Sequence, residues 1–147
     1  GSSTGQDRAA GFEVGLQEAG SALTVQMDGM YKREAAAEAA RVMVAEHRVD
    51  AIFVGNDHMA FAVMDMLRGE MGLSVPDDVS IVGYDDVPMA AWAAYDLTTL
   101  RQPVNQMISA TVNLLMDMIN GDSTARKTQI EGPLIVRGSA KVPKGWA

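Results

Sequence analysis

The 147-residue chain is 48% hydrophobic and 21% charged, a balance that predicts a folded globular domain and excludes a disordered one. A formal charge of −7 argues against a phosphate-gripping surface, because non-specific nucleic-acid binding rests on Lys and Arg. The lack of cysteine excludes disulfides and thiolate metal sites and fits a reducing compartment.

In chain order, Asp7 to Ala19 carries Phe12, Leu16 and Ala19 at helical spacing, with Thr4 or Asp7 as N-cap and Gly20 as the stop, which predicts a first helix. Leu23 to Met27 alternates and contains β-branched residues, predicting a strand that ends at Asp28-Gly29. Arg33 to His47 is Ala-rich, with Ala36, Ala39, Ala40, Met43 and Val44 forming a small-residue face suited to lying on a sheet. Ala51 to Val54 reads as a second strand and runs into Gly55-Asn56-Asp57. From His58 to Arg68 apolar positions cover more than half the circumference, predicting a helix buried on two sides, one against the sheet and one against a partner subunit.

After the turn signal Pro76-Asp77-Asp78, Val79 to Val82 is a third strand, stopped by Gly83 and followed by the adjacent carboxylates Asp85 and Asp86. Val87 to Tyr95 is a short helix or irregular turn, and Leu97 to Leu100 a fourth strand. Pro103 opens a helix to Asn120 with Val104, Met107, Ile108, Leu115 and Met118 in register and Gly121 at its end. Lys127 to Ile130 and Leu134 to Val136 are short strands around Gly132-Pro133. This alternation predicts an α/β fold: a parallel sheet with helices on both faces. No apolar run approaches the ~20 residues that cross a bilayer, and the polar start lacks the apolar core of a signal peptide.

Parallel strands place their carboxyl ends on one edge, where open α/β sheets bind ligands. That edge collects Asp28, Asn56, Asp57, Asp85, Asp86 and Gln102, with Arg8 joining them because it opens a helix. Carboxylates, amides and one guanidinium without an obvious nucleophile suit a ligand with several hydroxyls. Four charge-assisted bonds at ~1.5–3 kcal/mol each would support micromolar binding after ordering costs. Competing readings are local: Asp85 and Asp86 as turn formers or a cap, Arg8 as a surface residue, Asn56 or Asp57 as cap of the helix at His58, and Gln102 as a solvated strand end.

The ordered strings DRAAGF, AIFVGNDHMAFAVMDMLRGEMGLSVPDD, VSIVGYDDVPMA, DLTTLRQPV and LIVRGS carry a family resemblance. Together they resemble the C-terminal half of the periplasmic-binding-protein-like sensor domain of LacI/GalR-type bacterial transcription regulators, over nearly the whole chain. The resemblance implies that residues 1–102 are the second lobe of a two-lobed effector-binding domain. Residues 103–132 would hold a helix and strand that cross to the first lobe, and 133–147 a return strand and tail. It also implies that Arg8, Asn56, Asp85 and Gln102 contact a small-molecule effector, commonly a sugar. The protein would be a cytoplasmic homodimer without catalysis or cofactor, binding DNA only through an N-terminal helix-turn-helix domain absent from this chain. Its dimer face would be the helix His58 to Arg68 with the turn Pro88 to Tyr95.

One departure matters: where similar proteins place an aromatic residue that stacks on the ligand, Gly29 follows Asp28, so purine-type or other non-sugar effectors stay open. Tyr31 or Trp92 could supply a ring, although ordinary packing also accounts for them. The eleven methionines read as core filling by their helical spacing. His47 and His58 are isolated and predict no metal site.

Two other functions compete. A solute-binding protein of a sugar transporter shares the two-lobed fold. A receiver-like, Mg²⁺-dependent phosphoacceptor enzyme would gather Asp57, Asp85 and Asp86 around a cation, but leaves Arg8 and Gln102 without a role. If the first lobe is missing, the helix from Pro103 must bury its apolar face against the chain itself or another copy, at a cost otherwise comparable with a domain's net stability.

Overall fold

The computed structural model describes residues 3–121 and 128–142. Along them run α1 (Ser3–Glu18), α2 (Arg33–His47), β1 (Ala51–Phe53), α3 (Asp57–Gly69), β2 (Ser80–Asp85), a 3₁₀ turn (Pro88–Ala91), β3 (Thr98–Arg101), α4 (Val104–Ile119) and β4 (Leu134–Ile135). The strands form one sheet in the order β1-β2-β3-β4. β1, β2 and β3 are mutually parallel, and β4 returns antiparallel to β3.

The core is built around α3. Ala60, Phe61, Val63, Met64 and Leu67 are at most 1% exposed, packed with Ile52 of β1, Val54 just after it and Ile81 of β2. Each fully buried large side chain contributes about 1.5–3 kcal/mol, so this helix dominates the stability of the sheet it covers. α2 packs along a second side of α3. Ala36 and Ala40, one turn apart, supply the small contact that lets the two helices approach. The small-residue face of α2 therefore serves chiefly a helix rather than the sheet, and on α3 His58, Asp65 and Arg68 stay exposed.

On the opposite face of the sheet α1 meets the end of β1. Side chains alternate along a strand, so Phe53, between the inward-facing Ile52 and Val54, points away from α3, and it stacks on Phe12 with ring centroids 4.8 Å apart. Helices thus lie on both faces. α1 starts at Ser3, ahead of both residues expected to cap it, and stops where Gly20 turns left-handed (φ +72°), with the Ser21 amide donating to the Leu16 carbonyl.

The strand expected at Leu23 to Met27 is not formed. Its alternation survives in burial, with Leu23 and Val25 half-buried and Thr24 and Gln26 exposed, but the sheet ends at β1. The turn that follows decides the path. Asp28 Oδ1 accepts from the Met30 amide, Met30 and Tyr31 adopt positive φ, and Gly29 is held so close to Ala36 and Met59 that a Cβ there would lie 3.2 and 3.0 Å from them. Packing on α2 and α3, not ladder bonding, fixes this segment. The strand expected at Lys127 to Ile130 falls partly outside the described residues, and Thr128 to Ile130 carry no strand.

The C-terminal segment is stitched beneath β2 and β3. The buried Ser139 hydroxyl donates to the Ile81 carbonyl at 2.6 Å and accepts from the Thr98 amide at 2.8 Å, while its carbonyl accepts from the Ile81 amide at 2.7 Å. α4, in contrast, buries none of its residues. Val104, Ile108, Val112, Leu115 and Ile119 are each more than half exposed. Among the described residues nothing covers this face, so burial against the chain itself, one of the two resolutions expected for it, is not seen there. The methionines divide accordingly: Met59, Met64 and Met66 fill the core, whereas Met116 and Met118 of α4 lie in the open.

Candidate functional site

Strand register assembles the polar cluster. β2 and β3 pair with Asp85 opposite Arg101, so Gln102 emerges one residue past the end of Asp85's ladder. Its Nε2 donates to Asp85 Oδ1 at 2.5 Å. β1 and β2 pair Phe53 with Val82, which puts Gly55 beside Tyr84 two residues on. Arg8 spans the two. Its Nη1 donates to the Gly55 carbonyl at 2.6 Å, its Nη2 lies 3.3 Å from Asp85 Oδ1, and its guanidinium rests 3.8 Å above the Tyr84 ring. Arg8, Phe12 and Leu16 recur every fourth residue, so one stripe of α1 supplies both the apolar anchor and the cation.

Three of the four expected ligand residues, Arg8, Asp85 and Gln102, therefore meet at one point. The fourth, Asn56, is adjacent through Gly55, and its Oδ1 caps α3 by accepting from the Met59 amide at 2.9 Å. The cap reading of Asn56 holds for its oxygen, and its amide nitrogen has no hydrogen-bond partner among the described residues. Asp85 is 23% exposed at its side chain, and among the described residues only its Oδ1 is engaged.

The other two carboxylates of this edge have separate duties. Asp57, the first residue of α3, is fully buried. Its Oδ1 accepts from the Thr99 hydroxyl at 2.6 Å and its Oδ2 from the Val87 amide at 2.9 Å. Burial pushes its pKa above the ordinary carboxylate range, with the Asp85 charge adding to the rise and the Thr99 and Val87 donors opposing it. Asp86 turns away from Asp85 to meet Arg137 Nη2 at 2.8 Å and Arg101 Nε at 2.5 Å, its side chain only 5% exposed. Burial alone would raise its pKa, but the two guanidinium partners outweigh burial and hold it below the usual range. A shared cation site of Asp57, Asp85 and Asp86 is thereby opposed by positive evidence, since each carboxylate already has its own donors. Among the described residues no three His, Asp or Glu side chains come together as metal ligands.

Asp85 and Asp86 both adopt left-handed backbone conformations, with φ of +124° and +56°. Such conformations cost about 1–3 kcal/mol per non-glycine residue and persist where the surroundings impose them. Here the Asp57–Val87 bond holds one side of the turn and the Asp86 ion pairs hold the other. Strand order puts Asp57 and Asp86 on this edge but does not separate their roles, and it does not point to Arg137. The only signal for Arg137 is its lone charge inside the apolar string LIVRGS.

The cluster lies between two hollows. A cavity of about 540 Å³ is bounded by α1, the 26–31 segment, α2 and β1, with Arg8, Gly55, Met27, Tyr31, Phe53 and Met59 in its wall. A shallower one of about 330 Å³ runs along α4 from Gln102 past Met107 and Ile108. Asp85 and Asn56 line neither, so the polar chain Arg8–Asp85–Gln102 forms the ridge between them. Of the two candidate rings, Tyr31 lies in the wall of the larger cavity and Trp92 does not. Asp28, expected at a strand end, is exposed in its turn. His47 and His58 are exposed on α2 and α3. What the cluster offers is recognition: a carboxylate oxygen, a guanidinium and two carboxamides at one sheet edge.

Comparison with known proteins places this arrangement. The periplasmic binding protein-like domain matches residues 1–140. The HTH-type transcriptional repressor PurR of Photobacterium profundum is 34% identical over 145 residues, 95% of this chain and 42% of that protein. The lactose operon repressor of Rhizobium radiobacter is 33% identical over 106 residues, 72% of this chain and 93% of that sequence. Among solved structures, the lac repressor bound to ONPG in its repressed state superimposes with a TM-score of 0.84 at 25% identity, covering 93% of this chain and 42% of that one. A CelR transcriptional regulator in complex with cellobiose gives 0.74 at 30% identity, covering 90% and 42%. The chain thus spans about two-fifths of the PurR relatives it matches. With the fold, the sheet-edge cluster and these matches in agreement, the chain belongs to the LacI/GalR family of transcriptional regulators and corresponds to the C-terminal half of their periplasmic-binding-protein-like effector domain.

Proposed function

We propose that this chain is the effector-sensing and dimerising part of a cytoplasmic transcription regulator, without catalytic activity or cofactor, and that its effector is a polyhydroxylated small molecule, most simply a sugar. The observation that carries the reading is the meeting of Arg8, Asp85 and Gln102 on one carboxylate oxygen, which among the described residues leaves the other oxygen of Asp85 and the amide nitrogen of Asn56 available to a ligand. A carboxylate accepts from neighbouring hydroxyls, the amides donate and accept, and the guanidinium bridges. A regulator solved with lactose and another with cellobiose lie among the structural relatives, which supports a sugar.

The mechanism is population shift. Residues 1–102 form one lobe, and residues 103–132 cross to a second, against which the apolar face of α4 is buried. An effector held at the sheet edge favours the closed arrangement of the lobes. Closure alters how two subunits, meeting through the exposed residues of α3 and the Pro88 to Tyr95 turn, present helix-turn-helix domains that lie outside this chain. A thermal-shift panel of sugars, sugar phosphates and purines on the full-length protein, repeated with Asp85→Ala, tests the proposal. The expected result is a sugar that raises the melting temperature in the wild type and not in the variant. A hit that survives the substitution unchanged removes Asp85 from the site, and a purine hit moves the effector class.

A further inference from the structure

Asp86 and Arg137 belong to no ligand set, yet they are more deeply placed than Asp85. The Asp86 side chain is 5% exposed and Arg137's is 14%, against 23% for Asp85. Arg137 is tied to three points of the sheet: its amide donates to Thr98 Oγ1 at 2.9 Å, its Nη1 to the Leu97 carbonyl at 2.7 Å, and its Nη2 to Asp86 Oδ1. Arg101, at the end of β3, takes the other oxygen of Asp86. One carboxylate therefore fastens the turn after β2 to β3 and to the segment following β4. These are the segments that flank α4, since Arg101 lies three residues before it and Arg137 lies beyond the return strand. Asp85, directly before this fastener, keeps its left-handed φ of +124°.

We propose that Asp86 and Arg137 are positioning residues for the effector site: the Arg101–Asp86–Arg137 clamp holds the left-handed turn that aims the Asp85 carboxylate at Gln102 and Arg8. The clamp also makes the aim of Asp85 depend on how the two segments flanking α4 sit relative to each other, so the same ion pairs that orient the ligand carboxylate respond to movement of those segments. The proposal rests on the effector reading above. A cluster that never meets a ligand is positioned all the same, and the test separates the two.

The experiment uses the full-length protein, the sugar selected by the thermal-shift panel, and four variants: Asp86→Asn, Arg137→Met, Arg137→Lys and Asp85→Asn, the last keeping one acceptor oxygen. Asp86→Asn and Arg137→Met are expected to weaken sugar binding about tenfold, the scale of one misaimed charge-assisted hydrogen bond. Arg137→Lys, which keeps the charge, recovers part of the loss. Introduced on top of Asp85→Asn, Asp86→Asn costs nothing further, because a residue acting through Asp85 has no effect once Asp85 is altered. An equal loss in both backgrounds overturns the proposal in favour of general damage, and no loss in the wild-type background overturns it outright. If no effector in the panel binds, the effector reading fails. The positioning claim is then decided without ligand by the side-chain amide resonances of Gln102, which donate to Asp85: they shift in Asp86→Asn and in Arg137→Lys if the clamp sets Asp85, and an unchanged pair refutes it.

Discussion

Asp57 occupies the space that a side chain on residue 83 would need. A Cβ added to Gly83 would overlap Asp57 Oδ1 and come within 2.9 Å of Leu97 Cδ2. The glycine after Val82 thus has a packing cause: it lets a buried carboxylate pass across β2 to reach the Thr99 hydroxyl on β3. Gly83→Ala is expected to cost about 2–4 kcal/mol, combining overpacking with a disturbed buried hydrogen bond. Urea denaturation measures it, and a change smaller than ~0.5 kcal/mol would show that Asp57 moves aside freely.

Asp57 also gives a signed pH dependence. Its folded pKa is raised, first by burial, above an unfolded value near 3.8. Between those two values the native state binds more protons than the unfolded state, so this group's contribution falls as pH rises through the window and is smallest at neutral pH. An asparagine keeps the bond from the Val87 amide through its oxygen and donates to Thr99 Oγ1 through its nitrogen. Asp57→Asn is therefore expected to stay within about 1 kcal/mol of wild type at pH 7, while Asp57→Ala, leaving the Val87 amide unpaired, loses about 2–4 kcal/mol. The stability of Asp57→Asn relative to wild type should improve as pH rises above 3.8 and then level off. A difference that is flat across that range, measured by denaturation at several pH values, contradicts a buried ionising carboxylate at this position.

Asp86 has the opposite sign. Burial pushes its pKa up, but Arg137 and Arg101 bring the net value below 3.8, so its contribution is present above that pH and is lost as the medium is acidified through the folded value. Arg137→Met removes a partner from this carboxylate and is expected to diminish the acid-side loss while lowering stability at pH 7. Acid titration of wild type and variant followed by circular dichroism checks the point. Identical acid transitions would mean that the ion pair contributes nothing to the fold.

What the residues disclosed in advance follows from where local pattern and packing agree. The near-continuous apolar run Ala51 to Val54 became the edge strand β1 and Val79 to Val82 the start of β2, which runs on through Gly83 to Asp85 instead of stopping there, and α3 was recognisable because its apolar positions exceed a single stripe. The convergence of Arg8, Asp85 and Gln102 was legible because parallel strands end on one edge, and chain order then supplies the neighbours. The failures came where tertiary contacts decide. Leu23 to Met27 has the alternation of a strand, but Gly29 packing on Ala36 and Met59 directs the chain elsewhere. The two adjacent carboxylates Asp85 and Asp86 are chemically alike in sequence, and tertiary partners, Arg101 and, 51 residues later, Arg137 on Asp86, separate ligand candidate from fastener.

Arg8 tests whether the cluster depends on a fork-shaped cation. It reaches the Gly55 carbonyl, Asp85 and the Tyr84 ring at once, which a lysine ammonium cannot do from a single position. Arg8→Lys is expected to keep the net charge, lower stability by no more than about 1 kcal/mol because the ion pair is partly solvated, and weaken binding of the selected sugar about tenfold. Calorimetric titration measures the binding, and wild-type affinity in Arg8→Lys would reduce the role of Arg8 to general charge balance.

In α4, sequence and surroundings conflict. Ile108 is 56% and Leu115 52% exposed, and with Val104, Val112 and Ile119 they make one apolar stripe along the helix. Monomeric proteins rarely expose contiguous apolar patches beyond a few hundred Å², and α4 buries nothing within the described chain. For the isolated 147-residue chain the available cover is the same stripe on a second copy, so self-association through α4 is expected at high concentration. Ile108→Lys combined with Leu115→Lys should return the light-scattering mass to that of a 15.7 kDa monomer. It should cost under ~1 kcal/mol of fold stability, because neither side chain is in the core. Charges placed on this stripe repel in a symmetric pair, whereas substitutions on the α3 side leave such an association intact, so the position of the effect identifies the surface. An unmodified chain that stays monomeric at every concentration would show that the exposed stripe is tolerated.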